Sequence, residues 1–197
     1  MLETPSISDY HLTNACDYFL SKSLRLDVGE NVLSADNQQE RLDAKWIAGF
    51  VDGEGCFHIS INKISKMSLG WQVLPEFRIV QHERDVEVLS RIKNYFGFGD
   101  VKVNRTDHHG TRKEFRVRGL ENLNKIVDFF MKYELNTSKK RNFEIFAQVI
   151  HLMNNKIHLT KEGLDKIAKL VSEMNRKPIL RYLESSETLR QSSKRTR

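Results

Sequence analysis

The sequence DAKWIAGFVDGEGCF, residues 43–57, joins an apolar, helix-like run to a segment of closely spaced glycines and acids. Asp43 is suited to be an N-cap, so we predict a helix from about Ala44 to Gly53. Glu54 then follows at the C-terminal end, where the helix dipole disfavours a carboxylate by about 0.3–1 kcal/mol. The segment therefore suggests that a positive charge compensates Glu54.

The spacing of small residues in this helix predicts a close helix pair. Gly49 and Gly53 are four residues apart, with Ala48 beside them, and such a strip lets a second helix backbone approach closely. Two helices paired in this way would bring two Glu54 carboxylates together. A divalent cation held by Glu54 and the Gly53 carbonyl would neutralise them. The alternative is a core helix that ends in a glycine-rich turn with Glu54 merely exposed, and spacing alone leaves both open.

Composition limits the class of protein. The chain has 197 residues, 39% of them hydrophobic, which fits one globular domain or two small ones. It contains no run of eighteen apolar residues, so no membrane span is expected. Its two cysteines, Cys16 and Cys56, fit a reducing compartment.

Charge is distributed unevenly along the chain. Residues 1–43 carry three basic and eight acidic side chains, whereas the remaining residues carry 29 basic and 18 acidic ones. A basic body behind an acidic leader favours a polyanionic partner. A well-solvated surface is the alternative explanation.

Periodicity after the first helix predicts an α+β fold. Strand-like alternation covers residues 55–63, 71–81, 99–105 and 113–118, and helical spacing covers 85–97, 120–133, 139–152 and a segment that begins after Thr160. This order gives an αββαββα core with a four-stranded antiparallel sheet, helices on one face, and further C-terminal helices. We expect an N-terminal extension at 1–43, the main domain at 44–183 and a flexible basic tail at 184–197.

Several segments, in order, resemble one known family. IAGFVDGEG at 47–55 resembles the signature of the LAGLIDADG homing endonucleases. FRIVQHERDVEVLSRIKNYFGFGDV, LNTSKKRNFEIFAQVIHLMNNKIHLTKEGLDKI and the MN at 174–175 look like its single-motif, organellar, intron-encoded members. The resemblance covers roughly residues 44–176, so we expect the LAGLIDADG homing endonuclease fold.

The resemblance implies roles for the motif residues. In that family the motif helices pair at the centre of the molecule, which places Ala48, Gly49, Asp52 and Gly53 at a dimer interface. The eighth motif residue, here Glu54, would bind Mg²⁺ together with the carbonyl of Gly53. Asp52 would support the start of the partner's helix. Metal-dependent phosphodiester hydrolysis would leave 5′-phosphate and 3′-hydroxyl ends with a short 3′ overhang.

Two further catalytic residues are implied by position. Gln81, at the end of the second strand, resembles a family residue that holds water, although an ordinary strand-end glutamine is the alternative. A lysine just before the LNTSKKRNF helix would stabilise transition-state charge. Lys139 is our choice and Lys140 its rival, because a one-residue shift in alignment exchanges them.

Strand parity predicts the residues that face DNA. If Phe57, Ile59 and Ile61 pack on the helices, the alternate residues point away from them. Arginine suits guanine, and asparagine or glutamine suits adenine, so this face could read bases in the major groove. Its predicted members are His58, Ser60, Asn62, Gln72, Glu76, Arg78, Lys102, Asn104, Glu114, Arg116 and Arg118. Arg105, Arg112 and Lys113 are predicted phosphate contacts.

The expected function is site-specific cleavage of double-stranded DNA in intron homing. The sequence holds a single motif, which in this family implies a homodimer and a pseudo-palindromic target. One alternative is an RNA-binding maturase that assists splicing of intron RNA, and another is a catalytically inactive DNA-binding protein. The family context implies an organelle, either mitochondrion or chloroplast.

Overall fold

The computed structural model describes residues 42–174 and Tyr182. The predicted extension at 1–43 lies almost wholly outside the described residues, and the tail at 184–197 lies wholly outside them. Helix α1, Ala44–Glu54, begins as predicted, because the Asp43 carboxylate accepts hydrogen bonds from the backbone N–H groups of Lys45 and Trp46. Within the described residues no helix is long and apolar enough to cross a bilayer.

The remaining elements follow the predicted order. The strands are β1 (Gly55–Lys63), β2 (Trp71–His82), β3 (Asp100–Asp107) and β4 (Gly110–Val117). The helices are α2 (Val86–Phe96), α3 (Leu120–Lys132), α4 (Lys139–Asn154) and α5 (Lys161–Glu173), with short 3₁₀ turns at Glu83–Asp85 and Ile157–Leu159. The α+β prediction is therefore confirmed.

The four strands form one antiparallel sheet in the order β1-β2-β4-β3. Strand β2 pairs with β1 over Trp71–Ile79 but with β4 only from Phe77 to His82. Pro75 therefore lies where β2 has one neighbour, which a residue without a backbone N–H tolerates. The β3–β4 hairpin turns through His108 and His109, so both strands are longer than the sequence predicted.

The core lies between one face of the sheet and the helices. Phe57 of β1 is at its centre, with its ring centroid 5.2–5.4 Å from those of Phe77, Phe130, Phe143 and Phe146. Aromatic side chains bury large apolar areas and prefer such tilted or edge-on contacts. Packing on this face leaves the opposite face of the sheet for the polar residues.

Strand β3 departs from simple alternation. A register shift between Val103 and Arg105 leaves Asn104 without a paired residue on β4. A bulge of this kind turns two successive side chains toward one face. Val103, expected to be apolar and packed, is instead 52% exposed at this edge strand.

Candidate active site and nucleic-acid interface

Glu54 is the last residue of α1 and is exposed. The chain passes directly into β1 at Gly55, whose N–H donates to the carbonyl of Val51. A Cβ atom on Gly55 would lie 2.5 Å from Val51 Cγ1 and 2.9 Å from its carbonyl oxygen. Only glycine fits this close junction, which holds Glu54 at the helix tip.

Lys139 supplies a positive charge to the same helix end. Its Nζ atom donates to the carbonyl oxygens of Val51 at 3.0 Å and Gly53 at 2.9 Å. Burial lowers the pKa of the Lys139 ammonium, while nearby Cys56 and the two acids that flank Gly53 oppose that shift. Lys140 instead pairs with Glu134, 2.8 Å between Nζ and Oε2. Of the two lysines that the sequence left open, Lys139 lies at the motif.

Asp52 is engaged within its own chain. Its Oδ2 accepts from the backbone N–H of Asn136 at 2.7 Å, and its Oδ1 accepts from the N–H and hydroxyl of Thr137 at 3.2 and 2.8 Å. Burial alone would raise the pKa of Asp52, but these hydrogen bonds hold it below its usual value. Within the chain Asp52 supports the segment that leads into α4, and its support of a partner's helix stays a prediction.

Gln81 lies near α1 by strand register. Ile79 pairs with Gly55, the first residue of β1, so Gln81 is two residues further toward the end of α1. Gln81 lies on the same, helix-facing side of the sheet as Phe77 and Ile79. Its paired residue on β4 is Lys113. The Lys113 ammonium lies 3.2 Å from Glu83 Oε1. Lys113 therefore belongs to the Gln81 side of the sheet, and its phosphate contact stays a prediction.

One face of α1 is uncovered within the described chain. Gly49 and Gly53 lie on it and are exposed, and an added Cβ would meet nothing within 4 Å at either position. Trp46, 44% exposed, stacks on Phe50 with ring centroids 5.0 Å apart. Sequence reasoning missed this aromatic pair, although its i, i+4 spacing interleaves with the glycines. We call Trp46, Gly49, Phe50 and Gly53 the open face of α1.

Ala48 does not belong to that face. It is 6% exposed and lies with Ile47 and Val51 on the side of α1 that packs into the domain. One residue is about 100° of helix rotation, so Ala48 points well away from Gly49. Little of its surface is exposed in the single chain, and its place at a dimer interface stays a prediction.

The polar face of the sheet carries most of the predicted DNA-facing residues. Its exposed members lie on β1 and β3 and directly after β4. Its half-buried members lie on β1, β2 and β4. Arg78 of β2 lies directly opposite Arg116 of β4, and Arg105 opposite Arg112. The residues on this face, apart from two glutamates, are His58, Ser60, Asn62, Gln72, Arg78, Lys102, Asn104, Arg105, Arg112, Arg116 and Arg118.

The two glutamates predicted on this face are buried among its other side chains. Glu76 is 5% exposed and Glu114 is fully buried. Glu76 accepts from Arg118, and Glu114 accepts from Asn104 and pairs with Arg116. Alternation placed them on the correct side, but it carries no information on how deeply neighbouring arginines cover a shorter acidic side chain.

The chemistry of the helix end fits a hard divalent cation. Glu54 offers a carboxylate and Gly53 a carbonyl with two lone pairs, of which the Lys139 contact needs one. The ammonium at these carbonyls also demonstrates that this end of the helix attracts positive charge. Among residues 42–174 and Tyr182, no three His, Cys, Asp or Glu side chains converge on one point.

Comparison with known proteins identifies relatives of this site and sheet. Residues 47–150 match the family model described as LAGLIDADG endonuclease. The chain is 33% identical over 132 residues to probable intron-encoded endonuclease 3 of Neurospora crassa, covering 66% of this chain and 24% of that protein. It spans between 24% and 29% of the length of three curated relatives.

Solved structures share the fold. The homing endonuclease I-TnaI is 41% identical, with a TM-score of 0.66 over 80% of this chain and 99% of its own. I-SmaMI bound to an uncleaved DNA target in the presence of calcium ions is 34% identical, also with a TM-score of 0.66. That match covers 70% of this chain and 46% of I-SmaMI.

Proposed function

Because the chain belongs to the LAGLIDADG endonuclease family, we propose that it is a site-specific, Mg²⁺-dependent DNA endonuclease that acts in intron homing as a homodimer. The observation that carries the proposal is the end of α1, where Glu54, the Gly53 carbonyl and Lys139 lie together. An exposed carboxylate beside a lysine is suited to hydrolyse a phosphodiester with metal assistance. The polar face of the sheet supplies a surface suited to duplex DNA.

Each residue has a distinct part in the proposed reaction. Glu54 and the carbonyl of Gly53 would hold the metal, and a bound divalent metal would supply positive charge at the scissile phosphate and acidify a water ligand. The Lys139 ammonium stabilises negative charge that develops on the phosphate oxygens. Gln81 orients water near the reacting phosphate by hydrogen bonding. Hydrolysis leaves 5′-phosphate and 3′-hydroxyl ends, with a short 3′ overhang when both strands are cut.

The open face of α1 supports the homodimer. It lies opposite the side that packs into the domain, and an aromatic pair and two glycines on one helix face are suited to a close helix pair. The sequence holds one copy of the motif, so a second subunit would supply the partner helix. A C2 dimer would place two Glu54 sites side by side on a pseudo-palindromic target.

Contacts to DNA follow from the face that each residue occupies. Arg78, Arg116, Arg118 and Asn104 contact base edges in the major groove, and Arg105 and Arg112 contact phosphates. The matched Neurospora crassa protein is named as intron-encoded. That name supports an intron reading frame for this chain as well, and we propose an organelle as its location.

A cleavage screen tests the function. A library of duplex DNA that contains uninterrupted intron-insertion sites is incubated with the protein, with and without Mg²⁺, and the cut ends are sequenced. We expect Mg²⁺-dependent double-strand cuts at one class of site with related half-sites and 3′ overhangs. Binding to intron RNA without any DNA cleavage would contradict the proposal and favour the maturase function.

A further inference from the structure

Resting on the proposed function, we propose that Glu76 and Glu114 are positioning residues for base recognition, which aim the arginine and asparagine side chains of the polar face without contacting DNA themselves. Both acids lie on the side of the sheet that would enter the groove. An acidic side chain there is expected to accept a hydrogen bond from a cytosine amino group. Their burial and their partners indicate a different role.

Burial separates these two acids from their neighbours. Glu114 has no exposed surface and Glu76 is 5% exposed, whereas Lys102, Asn104 and Arg118 on the same face are exposed. A carboxylate that solvent does not reach is also out of reach of a base edge. The acids therefore form a layer beneath the longer basic side chains.

Glu114 determines how Asn104 is presented. The Asn104 Nδ2 atom donates to Glu114 Oε2 at 2.8 Å. An ionised carboxylate only accepts hydrogen bonds, so the amide must turn its NH₂ group toward Glu114 and its oxygen away. The outward oxygen and the second amide hydrogen remain for a base, which is the donor and acceptor pair that adenine requires. The other Glu114 oxygen pairs with Arg116 Nη2.

Glu76 organises the arginines in the same way. Its Oε2 accepts from Arg118 Nε at 2.8 Å and lies 2.7 Å from Arg118 Nη2. Arg78 Nε lies 3.4 Å from Glu76 Oε1, and Arg116 Nε lies 3.9 Å from Oε2. Like charges that face each other across two strands repel, as Arg78 and Arg116 do. The carboxylate between them offsets this repulsion and restricts the directions that their guanidinium groups can take.

The two carboxylates also lower the net positive charge of the face. Non-specific affinity for duplex DNA depends on that charge, whereas discrimination among bases depends on side-chain direction. Removing one buried carboxylate should therefore strengthen binding to unrelated DNA and weaken discrimination. An acid that contacts a base directly would instead lose discrimination at its own base pair, and not at those read by Asn104 and the arginines.

Glu114→Gln provides the sharpest test. Glutamine can donate as well as accept, so both orientations of the Asn104 amide become possible. Wild type first enriches its targets from a partly randomised duplex library. Binding to the enriched library is then assayed for five proteins, namely wild type, Glu114→Gln, Asn104→Ala, Arg116→Ala and the exposed-acid control Glu87→Gln. Dissociation constants are then measured for every single-base variant of the best target and for an unrelated duplex, with thermal melting of each protein.

We expect Glu114→Gln to reduce discrimination about 10-fold at the base pairs where Asn104→Ala and Arg116→Ala also reduce it. The other base pairs stay unchanged, and unrelated DNA binds more tightly. At the base pair that Asn104 reads, the double variant Glu114→Gln/Asn104→Ala should discriminate no worse than Asn104→Ala alone, since both substitutions act there through one contact. If Glu114→Gln does not fold, Glu76→Gln is compared with Arg118→Ala and Arg78→Ala by the same measurement.

Two outcomes would overturn the inference, and they differ in what else they reject. Wild type can select a sequence while the substitutions leave its base preferences unaltered, or alter them only at base pairs unrelated to Asn104 and the arginines. That result rejects only the positioning role. A wild type that selects no sequence rejects the proposed function and the inference together.

Discussion

The ammonium of Lys139, the first residue of α4, lies 2.9 Å from the carbonyl oxygen of Gly53 and thereby joins the core helix to the end of the motif helix. The adjacent Lys140 points to Glu134 instead. Two neighbouring lysines thus have separate environments, and they form a matched pair for experiment.

Replacing Lys139 with methionine should impair cleavage without unfolding the protein. We expect single-turnover cleavage to slow about 100-fold, as when one charge-stabilising donor is removed from an active site. Loss of this ammonium should leave the free energy of unfolding almost unchanged, because the Val51 carbonyl keeps the Gly55 N–H as a donor and the exposed Gly53 carbonyl can accept from water. Lys140→Met is the control and should cleave like wild type. Equal losses in both variants would argue against an active-site role for Lys139.

The Asp52 carboxylate should be sensitive to amide replacement. Its two oxygens accept from two different backbone N–H groups, and asparagine offers only one oxygen, so one donor loses its partner. We expect Asp52→Asn to lower the free energy of unfolding by about 1–2 kcal/mol in urea denaturation. At the N-cap, Asp43→Asn should cost almost nothing, because both residues cap well. Equal stability of the two variants would contradict this account of Asp52.

Gly49→Leu separates folding from association. A Cβ meets nothing at this position, and leucine favours a helix by nearly 1 kcal/mol over glycine, so the monomer should melt at the same or a higher temperature. The side chain would nevertheless keep a second helix away. Sedimentation should therefore show monomers at concentrations where wild type is dimeric, with cleavage lost. Ser172→Leu, on an exposed position of α5, should leave the dimer intact. A Gly49→Leu protein that stays dimeric would exclude this helix face as the interface.

Acid should weaken the contribution of Glu76. Burial would raise the pKa of Glu76, but the hydrogen bond from Arg118 and the charges of Arg78 and Arg116 hold it below the usual 4.5. Because the folded-state pKa is depressed, the stabilisation is present above about pH 4.5 and is lost as the pH falls through the folded-state value. Wild type should exceed Glu76→Gln in free energy of unfolding by about 1–3 kcal/mol near pH 7. Urea denaturation from pH 7 to pH 3 should show that gap closing, and a constant gap would contradict the pKa shift.

The fold was largely predictable because its signals are local. The Asp43 cap, the alternation in β1 and the spacing of Leu89, Ile92 and Phe96 each act within a few residues. The resemblance of the motif then placed the metal-binding residues at the C-terminal end of α1. The structure was needed to choose Lys139 rather than Lys140 as the lysine at the motif. The two side chains differ only in direction, which depends on how the first turn of α4 is oriented.

Burial on the polar face was not predictable in the same way. Strand parity is a property of one strand, whereas the burial of Glu114 depends on Asn104 and Arg116 from neighbouring positions of the sheet. The exposure of Val103 follows from a bulge that no glycine or proline marks. The burial of Ala48 was not predictable either, because small size alone does not determine which side of a helix packs inward.

Cleavage by Glu54→Gln tests the central claim most directly. The substitution keeps the size of the side chain but removes the carboxylate charge at the end of α1. On the target found for wild type, we expect the single-turnover rate with Mg²⁺ to fall at least about 10³-fold, the effect of losing several kcal/mol of transition-state stabilisation. Affinity for the same duplex should be retained, and Glu87→Gln should cleave normally. A Glu54→Gln protein that cuts this target at the wild-type rate would contradict the account.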